Sequence, residues 1–134
     1  MKRSQINRAI ADATRCFADA GWALPPKPLW DVTDCGLGDF NNVGLVLVNL
    51  SEQPEYCEKL MYARRRQVTP LHTHRCKKED IICRHGKLAI ELWKQHPEHT
   101  KKGEVFSLRR NGELVEVLSG ELVILQAGER VTIE

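Results

Sequence analysis

From residue 43 onward the chain is written as short β-rich runs cut by turn residues, and that rhythm restricts the fold more than any other feature. The first runs are residues 43–50, 56–63, 81–83 and 88–93, the last two joined by the tight turn Arg84-His85-Gly86-Lys87. Leu88, Ile90 and Leu92 alternate with Ala89 and Glu91, as on a half-buried sheet. A polar loop over 94–103 separates them from two runs that flank Asn111-Gly112, a pair that tolerates the positive φ of a tight hairpin. Residues 122–125 and 131–133 flank a final turn, Ala127-Gly128-Glu129. No strand–helix–strand alternation accompanies these runs, which argues against a doubly wound parallel sheet and for an all-β sandwich or barrel.

Ahead of the strands the text changes. Ile6, Ile10, Ala13 and Phe17 recur at helical spacing, with Arg8, Asp12 and Arg15 largely on the other face. Ser4 is the expected N-cap and Gly21 the expected C′ residue. Three prolines within 22–28 then predict an extended, non-helical arm. Asp31, Asp34 and Asp39 fall among glycines, but the calcium-loop spacing is missing, so they read as turn-forming acids.

The 134 residues suit one domain with its own core, and 42% hydrophobic with 28% charged residues is an ordinary globular composition. A net charge of +2 gives no general pull toward nucleic acid or membrane. The longest apolar run, 43–48, is too short to span a bilayer, and Asn7, Arg8, Asp12 and Arg15 break any secretory core. Five cysteines without C-x-x-C spacing argue against a disulfide framework and for reduced thiols in the cytoplasm. Arg64-Arg65-Arg66 has no aromatic platform beside it and reads as a solvated edge rather than a nucleic-acid surface.

One stretch carries chemistry: Thr69-Pro70, then His72, His74, Lys77 and Glu79. Two residues apart on an extended strand, the two imidazoles leave one face. A turn at Arg75-Cys76 would place Lys77 and Glu79 together on the following strand. Two neutral nitrogens and a carboxylate oxygen would then converge on one divalent cation. The same spacing also fits two solvated histidines followed by an exposed charged face.

The run V-T-P-L-H-T-H-R-C-K-K-E-D-I-I-C-R-H-G resembles the metal-binding motif of the D-lyxose isomerase family, which are cupins. Similar matches lie in Lys2-Arg3-Ser4-Gln5-Ile6-Asn7, Trp30-Asp31-Val32-Thr33-Asp34, Gly36-Leu37-Gly38-Asp39-Phe40 and Tyr56-Cys57-Glu58-Lys59. Two departures stand beside these matches. Pro28-Leu29 leads directly into Trp30, where family members carry a longer insert, and the family's further P-G-x-x-H histidine and acidic residues lie past Glu134.

The resemblance implies a mainly β, cupin-like (double-stranded β-helix or jelly-roll) barrel, possibly incomplete, with an N-terminal helix. It would be one domain over 1–134, with helix and arm over 1–28 and barrel over 43–134. It implies an aldose–ketose isomerase interconverting D-lyxose and D-xylulose, with metal ligands His72, His74 and Glu79. Lys77 and Glu79 take the catalytic positions, Lys77 also meets substrate, and Lys59 is a further substrate-binding candidate. Manganese is the implied metal, with zinc, cobalt and iron as alternatives suited to these ligands. Cys76 and Cys83 read as loop or buried cysteines rather than ligands. Two other readings stay open: a non-catalytic sugar- or metal-binding cupin, and an iron oxygenase built on two histidines and one carboxylate. Residues 131–134 alternate like a strand with no turn after them, so an edge strand and a homodimer covering it are expected.

Overall fold

The computed structural model describes residues 1–74 and 77–134. The chain divides into two compact units, Met1–Leu71 and His72–Glu134. As the sequence predicts, the architecture is mainly β with an N-terminal helix.

The first unit begins with helix α1, Arg3–Asp19. Lys2, not Ser4, holds the N-cap position, and its backbone N–H donates to Gln5 Oε1 at 2.8 Å. A glutamine three residues in thus serves the helix start, and Ser4 falls inside the first turn. The C-terminus follows expectation: Gly21 has φ 76°, its N–H donates to Ala18, and the Trp22 N–H reaches back to Phe17. The Trp22 ring stacks on Phe17 at 5.9 Å, the apolar contact that accompanies such a cap.

Ala9, Ala13 and Phe17 face the antiparallel sheet β1–β2–β3, made of Leu29–Thr33, Leu45–Glu52 and Cys57–Tyr62. Val46 and Val48 are buried from β2, and Trp30, Val32, Leu60 and Tyr62 join them to close this core. Two sequence readings need correction. Residues 29–33 form a strand, so Asp31 is not a loop acid but stands opposite Leu47. Arg64 is no solvated residue: its guanidinium lies over Phe40 at 5.2 Å and donates to Asp12 and Asn41. Asp34 and Asp39 are turn acids as expected, accepting from the Gly36 N–H and the Asn42 side chain.

In the second unit the strands are β4 Glu79–Ile82, β5 Lys87–Leu92, β6 Val105–Arg110, β7 Glu113–Leu118, β8 Glu121–Gln126 and β9 Arg130–Ile133. They form a four-stranded sheet ordered β4-β9-β6-β7 and a two-stranded sheet β5-β8. Their inner faces share one core of Cys83, Leu92, Leu108, Val123, Leu125 and Val131, giving a cupin-like β-sandwich. The bend at Gly86, φ 71°, carries the chain out of β4's sheet and into β5's, so these neighbours in sequence do not pair. The Asn111-Gly112 hairpin forms with φ 53° and 83°, as a type I′ turn demands.

The last strand is where the sequence expectation fails. β9 is not an edge: it pairs with β4 over its whole length and with β6 through Arg109–Thr132 and Arg110–Val131. Both of its hydrogen-bonding sides are in use, so the reason given for dimerisation through that strand falls away. The edges of this sheet are β4 and β7.

Candidate metal centre

Glu79 opens β4, directly opposite Ile133 on β9. Side chains alternate along a strand, so Glu79 shares the face of Ile81, which packs on the sandwich core. Its carboxylate is therefore set at the end of the inner face rather than on the solvent face. Two contacts fix β4 in that register from the opposite face and from the flank. The Thr132 hydroxyl donates to Asp80, and Lys78 Nζ lies 2.7 Å from Glu134 Oε1. Lys78 also holds the Glu134 carboxyl below the usual carboxylate range, through its hydrogen bond and its charge. Neither contact was legible from spacing, because each joins residues more than fifty positions apart and depends on the β4–β9 register.

His72 and His74 lie in an irregular segment, not on a regular strand, so the alternation argument for their shared face does not apply. They come together nonetheless: the rings sit edge to face, 4.9 Å between centroids. His74 Nε2 lies 3.2 Å from Glu79 Oε2. Lys77, between them in sequence, is exposed and precedes the strand rather than belonging to it. The turn expected at Arg75-Cys76 lies outside the described residues. Lys59 belongs to the first unit, where it is exposed on β3 opposite Asn49.

The three side chains suit a divalent cation in donor type, and His74 and Glu79 also in approach. Two ligands held at right angles, each ~2.1 Å from one ion, stand roughly 3 Å apart, close to the His74–Glu79 separation. Among the described residues no three His, Cys, Asp or Glu side chains stand as a finished ligand set. The side chains of His74 and Glu79 are 38% and 35% exposed, which leaves them room to adjust.

A family model described as D-lyxose isomerase matches residues 28–134. The chain is 42% identical to a D-lyxose/D-mannose isomerase of Serratia proteamaculans over 135 residues, covering 77% of this chain and 58% of the relative. It is 34% identical to a D-lyxose/D-mannose isomerase of Escherichia coli O157:H7 over 125 residues, covering 69% of this chain and 55% of the relative. A third relative of the same name, from Thermosediminibacter oceani, is 30% identical over 98 residues, 67% of this chain and 54% of the relative. The chain thus spans about half the length of the curated relatives it matches. With the family match running through β1, the His72–Glu79 segment and all of the sandwich strands, the chain belongs to the D-lyxose isomerase family.

Proposed function

We propose that the protein is a metal-dependent aldose–ketose isomerase that interconverts D-lyxose and D-xylulose. The observation that carries this reading is the pair of contacts that links His72 to His74 and His74 to Glu79, within a chain of this family. The relatives' names pair D-lyxose with D-mannose, a hexose homologue, so a larger aldose is a natural second substrate.

Isomerisation moves a carbonyl from C1 to C2: a base takes the proton from the weakly acidic C2 of the aldose, and a proton is returned to C1. Negative charge then develops on the sugar oxygens through an enediolate. His72, His74 and Glu79 would hold the cation, manganese in this reading. When bound, it supplies positive charge where those oxygens lie and so lowers the barrier to losing the proton. Lys77, exposed and two residues before Glu79 in sequence, hydrogen-bonds a sugar oxygen and gives a proton as charge builds on it. Glu79 serves as ligand, its position set by β4.

In this reading the protein is a cytoplasmic homodimer. Cys16, Cys35, Cys57 and Cys83 are free thiols, which suits a reducing compartment. No helix of the described residues is long and apolar enough to cross a membrane.

Metal content by mass spectrometry, paired with an isomerase assay on D-lyxose with added manganese, tests the reading. Bound metal and D-xylulose formation that stops with chelator and returns with manganese is the expected result. Sugar binding with no turnover would replace it with the non-catalytic cupin, and oxygen uptake with ferrous iron would replace it with the oxygenase.

A further inference from the structure

The two-stranded β5–β8 sheet leaves β5 hydrogen-bonded on one side only among the described residues. An open edge presents a row of backbone donors and acceptors to any strand of matching register. The side chains of β5 decide which strand that is. Lys87, Ala89 and Glu91 are exposed on the outer face, and Leu88 and Ile90 point toward the core while remaining half-buried.

We infer that β5 pairs antiparallel with β5 of a second copy, about a two-fold axis through Ala89. This rests on the homodimer of the reading above and adds the surface. In that register Lys87 stands opposite Glu91 of the partner subunit and Glu91 opposite the partner's Lys87. Leu88 stands opposite the partner's Ile90, and the reverse. Two unlike-charge pairs form on the outer face, and two apolar pairs extend the inner face. The small Ala89 side chain sits where the two strands cross the axis.

The other edge strands lack this complementarity. β4 carries Glu79 and Asp80, β7 Glu113 and Glu116, β1 Asp31 and β8 Glu121, with no cation on any of the four. β3 has Glu58 and Lys59, but adjacent residues leave opposite faces and cannot oppose each other across such an axis. Among the edge strands of the described residues, only β5 has a cation and an acid four residues apart, on one face. Glu91 Oε1 already accepts from Trp93 Nε1 at 2.7 Å, which orients the carboxylate and leaves its second oxygen for the partner's lysine. Lys87 has no ion-pair partner among the described residues of its own chain.

The test is a charge swap read by multi-angle light scattering and sedimentation. The chain should be a dimer. Lys87→Glu and Glu91→Lys, each placing like charges opposite twice, should weaken dimerisation about tenfold or more. The double variant Lys87→Glu/Glu91→Lys should restore it, which a merely structural defect would not allow. Ala89→Cys should give a disulfide dimer on mild oxidation, mapped to residue 89 by mass spectrometry, since opposed strand residues fall within disulfide reach. A monomeric wild-type chain would overturn both the homodimer and this surface. A dimer indifferent to the single swaps would overturn the surface alone and leave the isomerase reading standing.

Discussion

Glu79 is ordered by its strand, while His72 and His74 are ordered by each other and by Glu79. In the proposed reading, removing any one of the three leaves two protein ligands, too few to outcompete water and buffer for a divalent ion. His72→Ala and Glu79→Ala are each expected to lower manganese affinity by more than about 100-fold, measured by titration calorimetry. Lys77 has a different duty, so Lys77→Ala should keep the metal and lower kcat by about 100-fold or more. Metal retention equal to wild type in His72→Ala would remove the ligand assignment. A second residue-scale prediction concerns Gly44, whose φ is 141° and where an added Cβ would run into the Thr33 carbonyl oxygen. Neither strain nor space can be relieved cheaply there, and Gly44→Ala should cost about 2 kcal/mol or more by denaturant titration. The histidines and glutamate are picked out in sequence as candidate ligands because they are of ligand type and closely spaced, and Lys77 because it stands between them. Gly44 is not, since its demand comes from β1 packing beside it.

At the scale of elements, the Asn111-Gly112 hairpin is read from sequence because its φ requirement is local. β9's place between β4 and β6 is not, because nothing within residues 130–133 encodes partners near 79 and 109. β1 escapes for a related reason: the proline arm before it and an aspartate in its centre look like loop until Leu47 is found opposite. One turn shows how such long-range joins are secured. Glu129 accepts from the Gln126 N–H at 2.8 Å and from Arg110 at 3.1 Å, with Asn111 alongside. These contacts, the Gln126 backbone bond first and the Arg110 pair next, hold its carboxyl below the usual glutamate range. A depressed folded pKa means the unfolded chain takes up the proton first. The stabilisation is therefore present above about pH 4.3 and is lost as pH falls through the lower folded value. Glu129→Gln should flatten the acid limb of the stability curve, and unchanged acid sensitivity in that variant would show that Glu129 does not contribute to it.

The molecule has two cores, one built on α1 and β1–β3 and the other inside the β4–β9 sandwich, and the candidate ligands belong to the second unit. Composition and strand rhythm foretell a mainly β chain, but not this division, because both cores draw on the same residue types. The location of the ligands has a measurable consequence. A cation that binds the folded second unit and not its unfolded form stabilises that unit by mass action, multiplying its folding equilibrium constant by 1 + [L]/Kd. At free manganese near 100 times Kd, amides that exchange only through opening of the sandwich should slow about 100-fold. The reporters are the paired amides of β4 and β9, which carry Glu79 and its partner strand. Hydrogen exchange followed by mass spectrometry, with and without manganese, gives the ratio directly, and His72→Ala should erase it. Equal slowing in wild type and His72→Ala would mean that manganese binds elsewhere in the unit. No slowing in wild type would mean that these ligands do not hold the ion at all.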